Sequence, residues 1–337
     1  MGAGQSAAIQ VNFNRPSSCF CVGEQVLGTV CFTNVRDNMK VDEMFIEFVG
    51  ELGYTTRETR STTDSNGNSS SESYTAYHHI PFSTLRMPLT QPKDETYNNM
   101  AIGRGTYTWP FEFHISHDLP PSSSPNPTAY PYIKYYVRMV VDRPWYKPNM
   151  WKTCPLTIFP QPTISQQINE LQQPLFFGER NRKQLRLEGY LYTRSIVPGQ
   201  SLSFQFTLYN PERTTIKKIK ASFVQCRQTN HDSRQDVIIS TDLPGLNEFN
   251  DTSLQRNFEL PVPSDYLTPT HTFTTLHQNC SYSFALLYEL KLEIRPHGAF
   301  TKFEIKLPVI VQTRPMDMDP IYMTNNSPPS YKEAMNN

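Results

Sequence analysis

The sequence predicts an all-β protein: two tandem immunoglobulin-like β-sandwiches followed by a disordered C-terminal tail. Three observations carry this expectation. One strand-like stretch occurs twice, far apart in the chain. The 20 Phe, 18 Tyr and 28 Pro accompany few long charged helical runs, a composition that favours strands and turns. Beyond about residue 313 the periodicity stops.

The first copy of the repeated stretch is Val22-Gly23-Glu24-Gln25-Val26-Leu27-Gly28-Thr29-Val30-Cys31-Phe32-Thr33-Asn34. The second is Pro198-Gly199-Gln200-Ser201-Leu202-Ser203-Phe204-Gln205-Phe206-Thr207-Leu208-Tyr209-Asn210. Gly23 aligns with Gly199 and Asn34 with Asn210. Between them the apolar positions coincide as Val26/Leu202, Val30/Phe206 and Phe32/Leu208. Each copy is a Gly turn, then alternation of period two, then Asn, as in a half-buried strand opened by a turn and closed by a loop. A repeat at this spacing predicts two related domains and not a solenoid. The 337 residues suffice for two cores.

Taken in order, residues 1–8 read as a flexible N-terminus and 9–160 as the first domain. Ile9, Val11 and Phe13 alternate on one face and open it; the repeated strand and Met44-Phe45-Ile46-Glu47-Phe48-Val49-Gly50 follow. Residues 55–75 are mostly Ser, Thr and Asn with little to bury and read as a mobile loop. Tyr107, Trp109, Phe111, Phe113 and Ile115 share one face of a strand. Ile133, Tyr135, Val137, Met139 and Val141 share one face of the next, and Pro155-Leu156-Thr157-Ile158 closes the domain. The Pro-, Gln- and Ser-rich residues 161–178 read as a linker. The second domain, 179–313, repeats the order: Leu185, Leu187 and Leu191, the repeated strand, and Phe223-Val224 in the place of Phe48-Val49. Phe258, Leu260 and Val262 come next, then Tyr288, Leu290, Leu292 and Ile294, then Pro308-Val309-Ile310-Val311. Short, evenly spaced strands with turn signals between them describe sandwiches. Residues 314–337 lack periodicity and read as a disordered tail.

Composition narrows the function classes. Lys+Arg and Asp+Glu are balanced at 31 each, which gives no general argument for nucleic acid as a partner. The six cysteines, Cys19, Cys21, Cys31, Cys154, Cys226 and Cys280, form no CxxC pair. No apolar signal region follows Met1, and no apolar run reaches the roughly 18 residues of a membrane span. The expectation is a reduced, cytoplasmic protein whose sequons at Asn68, Asn250, Asn279 and Asn325 stay silent. Met1-Gly2-Ala3-Gly4-Gln5-Ser6 fits the N-myristoylation pattern, which makes Gly2 a candidate lipidation site. The bland alternative is a flexible start that happens to contain Gly and Ser. One acyl chain binds membranes only marginally, so a second contact is required.

The sharpest motif lies in the tail: Ser327-Pro328-Pro329-Ser330-Tyr331. The prolines fix φ near roughly −65° and pre-form a polyproline II ridge, which WW domains read in an aromatic-lined groove. Pro328, Pro329 and Tyr331 are therefore candidate partner-binding residues, against the alternative of a Pro-rich tail with a chance Tyr. Two basic stretches, Arg180-Asn181-Arg182-Lys183 and Lys217-Lys218-Ile219-Lys220, read as solvated strand edges and turns. The functional reading of Arg180, Arg182, Lys183, Lys217, Lys218 and Lys220 is contact with lipid phosphates or a phosphorylated partner.

Signals for catalysis are poor. His114 and His117 on an extended strand point to opposite faces and make no zinc pair, and Cys19-x-Cys21 lacks two further ligands. There is no GxSxG, no phosphate-cradling Gly loop and no HExxH. Asp317 and Asp319 lie in the tail. The expectation is a protein that is not an enzyme, with no cofactor, no metal and no small-molecule substrate.

These residues resemble the arrestin family and, within it, the α-arrestins (arrestin domain-containing proteins), over about residues 9–312 plus the tail. The motifs are Gly23-Glu24-x-Val26-x-Gly28-x-Val30, Gly105-Thr106-Tyr107-Thr108-Trp109-Pro110-Phe111-Glu112-Phe113 and Leu119-Pro120-Pro121-Ser122. They continue with Ile133-Lys134-Tyr135-Tyr136-Val137-Arg138, Asp142-Arg143-Pro144-Trp145, Val197-Pro198-Gly199 and Pro328-Pro329-Ser330-Tyr331-Lys332-Glu333-Ala334. The resemblance implies two sandwiches joined by a short linker in a cytosolic adaptor working at the plasma membrane and endosomes. Its PPxY tail would recruit WW-domain HECT-type ubiquitin ligases to membrane receptor or transporter cargo, promoting ubiquitination and endocytic sorting. One PPxY stands here where such proteins often carry two, and Val22 replaces the usual Pro. The competing reading is a ligase-independent trafficking scaffold like the retromer's arrestin-like subunit.

Overall fold

The computed structural model describes residues 7–63, 69–89, 100–123, 129–160, 173–181, 184–297 and 302–312. No helix occurs among them, so none is long and apolar enough to cross a membrane. The chain divides into two compact units, one on residues 1–161 together with 275–282 and 317–337, the other on 162–274 and 283–316.

The first unit holds β1 (Ala7–Phe13), β2 (Cys19–Cys21), β3 (Gln25–Asn34), β4 (Met39–Val41) and β5 (Glu43–Thr63). It continues with β6 (Ser69–Pro88), β7 (Met100–Ile102), β8 (Gly105–His114), β9 (Tyr132–Asp142) and β10 (Met150–Phe159). They form a three-stranded sheet β1-β3-β8, a five-stranded sheet β2-β10-β9-β5-β6 and a ribbon β4-β7. The two larger sheets enclose the core. Val26, Val30 and Phe32 of β3 meet Ile133, Tyr135, Val137, Met139 and Val141 of β9 in it, all fully buried or nearly so. Burying each of these side chains contributes about 1.5–3 kcal/mol, which is why the period-two pattern fixes the register.

The second unit holds β11 (Leu175–Arg180), β12 (Arg186–Leu191), β13 (Ser195–Ile196), β14 (Ser201–Tyr209) and β15 (Ile216–Thr229). Then come β16 (Ser233–Asp242), β17 (Ser253–Pro261), β18 (His271–His277), β19 (Cys280–Pro296) and β20 (Phe303–Val311). Its sheets are β11-β12-β14-β17 and β13-β20-β19-β15-β16, with β18 paired to β19. Strand by strand, β12, β14 and β17 take the places of β1, β3 and β8, and β13-β20-β19-β15-β16 mirrors β2-β10-β9-β5-β6. Two strands of the second unit have no counterpart in the first: β18, paired to β19, and β11, which covers the edge of β12 that β1 leaves open.

The repeat is real in three dimensions. Gly23 and Gly199 adopt φ of 84° and 92°, which a side chain would strain. Their N–H groups donate to Ile115 O at 2.9 Å and Pro263 O at 3.0 Å. Asn34 and Asn210 are buried ends of β3 and β14 whose amides bind loop backbone. Asn34 Nδ2 donates to Ile102 O and Gly103 O, and Asn210 Nδ2 to Thr214 O and Asp251 O, at 2.9–3.0 Å.

Two expectations change. Residues 55–63 and 69–75 are strand, the outer half of the β5–β6 hairpin; only 64–68 of that stretch lie outside the described residues. Nothing apolar is buried there, but the backbone ladder closes and polar side chains pair across it. Glu58 accepts from Tyr74 at 2.6 Å and Thr56 lies 2.7 Å from His78 Nε2. At the linker, residues 161–172 lie outside the described residues, whereas Leu175–Arg180, assigned in part to the linker, pairs with β12. Residues 1–6 and 313–337 also lie outside.

Candidate functional site

Gly2, Arg182, Lys183, Pro328, Pro329 and Tyr331 fall outside the described residues. The remaining basic residues are placed on different sheets. Arg180 is exposed at the end of β11, while Lys217, Lys218 and Lys220 lie on β15. The lysines there sit within a lattice of opposite charges. Lys218 Nζ binds Asp242 at 2.8 Å, and Lys220 stands opposite both Asp242 and Glu293 in the register. Further along the same sheet Lys291 binds Glu304 at 2.8 Å and Lys302 binds Glu293 at 3.1 Å. Partly exposed pairs like these contribute little to stability, yet they neutralise much of the positive field of the cluster.

The first unit carries a charged cluster that the sequence reading missed. Glu51, only 8% exposed on β5, accepts from Lys134 Nζ at 2.9 Å, His79 Nδ1 at 2.8 Å and the Tyr132 and Tyr136 hydroxyls at 3.1 and 3.4 Å. Tyr130 OH reaches the other ring nitrogen of His79 at 3.2 Å. Burial pushes the Glu51 carboxyl up, but the hydrogen bonds from Lys134 and His79 outweigh it and hold the group below its ordinary range. Burial, with Glu51 next to it, pushes the Tyr136 phenol up to about 12. Lys134, His79 and Tyr132 converge on Oε1 and Tyr136 reaches Oε2 at 3.4 Å, so the carboxylate is held in a hydrogen-bond network that ties β5, β6 and β9 together. Nearby, Arg138 Nε donates to the buried Glu47 at 2.7 Å across the same strand pair.

His114 and His117 come closer than strand geometry predicts, with ring centroids 6.4 Å apart. β8 ends at His114, and the turn at Ser116–Asp118, where Leu119 N–H donates to Ser116 O, swings His117 back. The His117 ring occupies the space beside Gly23: a Cβ there would stand 2.2 Å from its Cε1. Among the described residues no group of three or more His, Cys, Asp or Glu is arranged to hold a metal ion.

The thiols of Cys21, Cys154 and Cys226 are poor nucleophiles. Burial raises Cys21, with Glu24 adding to it, and raises Cys154; burial and then Glu289 push Cys226 up to about 11. A protonated thiol is neither a good nucleophile nor a metal ligand. Two recesses of the described surface are open grooves at sheet edges. One, of about 490 Å³, runs between Ala8–Gln10 of β1 and Asn149–Lys152 at the start of β10. The other, of about 350 Å³, lies between Leu175–Glu179 of β11 and Glu304–Pro308 of β20. Neither gathers convergent titratable groups of the kind catalysis requires.

Exposed aromatics and edges are therefore what this surface offers, and those are features for binding. Residues 9–164 match the family model described as arrestin (or S-antigen), N-terminal domain, and residues 181–316 match that of the C-terminal domain. A search of the curated proteins finds no match.

Proposed function

The chain belongs to the arrestin family, whose two domain models together match most of its length, and from this premise we propose that it is a non-enzymatic α-arrestin-type adaptor. In this reading the two sandwiches engage membrane receptor or transporter cargo. The tail residues Pro328, Pro329 and Tyr331 bind the WW domains of HECT-type ubiquitin ligases, leading to ubiquitination, endocytosis and sorting. Its place is the cytoplasm, peripherally at the plasma membrane and endosomes.

The observation that carries the reading is one chain with both arrestin domains and a Pro-Pro-x-Tyr sequence beyond the second. The polyproline ridge supplies affinity at little ordering cost, and a tyrosine two residues after the second proline reaches an adjacent pocket. The hydrogen-bonded Glu51 carboxylate and the raised thiols of Cys21, Cys154 and Cys226 support an adaptor over an enzyme. The test is titration of the full chain with a panel of WW domains, wild type against Tyr331→Ala. Loss of binding in the variant is expected; equal binding by both removes the ligase from the function. Cargo sorting that survives deletion of residues 314–337 would favour the ligase-independent scaffold instead.

A further inference from the structure

The turn between β9 and β10 holds the most exposed tryptophan of the described residues. Trp145 is 95% exposed, and Tyr146 and Trp151 are 52% and 64% exposed. Surface indoles normally fold their rings onto a neighbour, because the apolar area left in water is large. Here the backbone is braced while the ring stays out. Lys147 N–H donates to Pro144 O at 2.7 Å, and Arg143 N–H to Asn149 Oδ1 at 2.9 Å. Pro144 is buried at one corner, Pro148 restricts φ at the other, and Arg143 Nη1 reaches Pro148 O at 3.4 Å. Trp145 is thus presented, not merely unpacked.

After Asp142, which precedes it, the turn carries charge of one sign. From Arg143 to Pro155 the chain carries Arg143, Lys147 and Lys152 and no Asp or Glu. Lys147 and Lys152 are exposed, and Lys147 Nζ lies 6.0 Å from the Tyr146 ring centre. Indole and phenol with flanking cations match the headgroup zone of an anionic bilayer, where rings sit at the apolar boundary and cations meet phosphates. A single turn falls well short of the roughly 800 Å² per partner that a stable protein–protein interface buries, whereas a soft bilayer needs no matching surface.

The position of the N-terminal strand is an independent pointer. Ala8–Gln10 of β1 line the same groove as Asn149–Lys152, so the start of β1 lies beside Trp151 and Lys152. Gly2 is separated from Ala7 by a segment that spans at most about 17 Å when fully extended. An acyl group there is within reach of the membrane that the turn would touch.

We propose that the turn Arg143–Lys152 is an interfacial anchor for an anionic bilayer and supplies the second contact that an acylated Gly2 requires. The cooperation with Gly2 rests on the acylation reading; the contact of the turn itself does not. A lone myristoyl chain is reversible on its own, and two weak contacts engaged together make the attachment stable.

The test uses the full chain, produced with and without N-terminal acylation, on phosphatidylcholine vesicles lacking or containing phosphatidylserine. Co-sedimentation and tryptophan emission are read. The unacylated chain should bind the phosphatidylserine vesicles with a blue shift. Trp145→Ala should weaken binding roughly tenfold, and Lys147→Glu with Lys152→Glu should remove its dependence on phosphatidylserine. Their thermal melts should match the wild type, because these side chains are exposed. In the acylated chain, Trp145→Ala should release most of the bound protein. Wild-type chain that ignores phosphatidylserine vesicles, or variants that bind as tightly as wild type in both forms, would overturn the proposal. A Gly2→Ala chain that binds like wild type while Trp145→Ala binds weakly removes the acylation reading and leaves the anchor standing.

Discussion

The Tyr135 hydroxyl donates to the Pro120 carbonyl oxygen at 2.5 Å from within the core of the first domain. The second domain repeats the arrangement: Tyr288 donates to Thr268 O at 2.6 Å. The two rings stack on Phe48 and Phe223, which occupy matching strands, at 5.7 and 5.4 Å between centroids. A buried phenol must satisfy its hydroxyl, and in both domains it does so by tying down the segment that precedes the strand. Burial raises both phenols well above their ordinary range, so neither ionises at physiological pH.

Tyr135→Phe keeps the stacked ring and removes only the donor, leaving Pro120 O buried without it. The expected cost is about 1–3 kcal/mol, the desolvation penalty of an unmet buried acceptor. Urea unfolding followed by a probe in each domain should show the first domain's transition moving to lower denaturant, and Tyr288→Phe should move the second's. Coincident curves for Tyr135→Phe and wild type would show that the hydroxyl contributes nothing.

Asn34 and Asn210 make a second matched pair. The Asn34 amide holds three backbone carbonyls and that of Asn210 two, and each Oδ1 accepts a backbone N–H, from Arg36 at 3.0 Å and from Thr214 at 2.9 Å. Asp is nearly isosteric but donates nothing, so it keeps the acceptor and sets a carboxylate against carbonyls. Asn34→Asp should therefore destabilise the first domain by more than about 1 kcal/mol at pH 7 and by less once the carboxyl is protonated. The check is the unfolding midpoint at two pH values. A midpoint difference between variant and wild type that does not narrow in acid would rule this account out.

These pairs show what the sequence makes legible. Turn glycines with positive φ and apolar alternation are local, so Gly23/Gly199 and Val26/Leu202 announce themselves in one dimension. The partners of Glu51 are not local: His79, Lys134, Tyr132 and Tyr136 reach it from 28 to 85 residues away. The outer half of the β5–β6 hairpin was invisible for a different reason. Its Ser and Thr bury nothing, and its order comes from a backbone ladder that hydropathy does not record. At the candidate site the motif Asp142-Arg143-Pro144-Trp145 could be quoted, but only the fold reveals that its Trp is braced outward.

Glu51 makes acid the natural stress for the first domain. Its folded pKa lies below the unfolded value of about 4.3, so its stabilisation is fully present above that value and is lost as pH falls through the folded one. Between neutrality and that range the cluster should hold the domain's melting temperature nearly level, with a drop below about pH 4.5. Glu51→Gln should lower the melting temperature at pH 7 and flatten the acid limb. A variant whose acid limb parallels that of wild type would show that other carboxylates carry the transition.

His271 should give the second domain a separate weakness at higher pH. Its Nδ1–H donates to Pro269 O at 2.9 Å, its ring lies 5.8 Å from Phe284, and Nε2 is buried without a hydrogen-bond partner among the described residues. Burial drives its pKa down, and the bond to Pro269 O opposes this only in part. The folded ring is thus neutral where the unfolded ring, near pH 6.5, takes up a proton. Stability is complete above about pH 6.5 and is lost as pH falls from there through the lower folded value, with a slope of at most about 1.4 kcal/mol per pH unit for one proton. Urea unfolding at pH 7 and pH 5.5 should show the second domain weakening, and His271→Phe should remove most of that difference while the first domain's transition stays where it was. If His271→Phe and wild type weaken equally over this interval, the burial of His271 is not what the second domain feels.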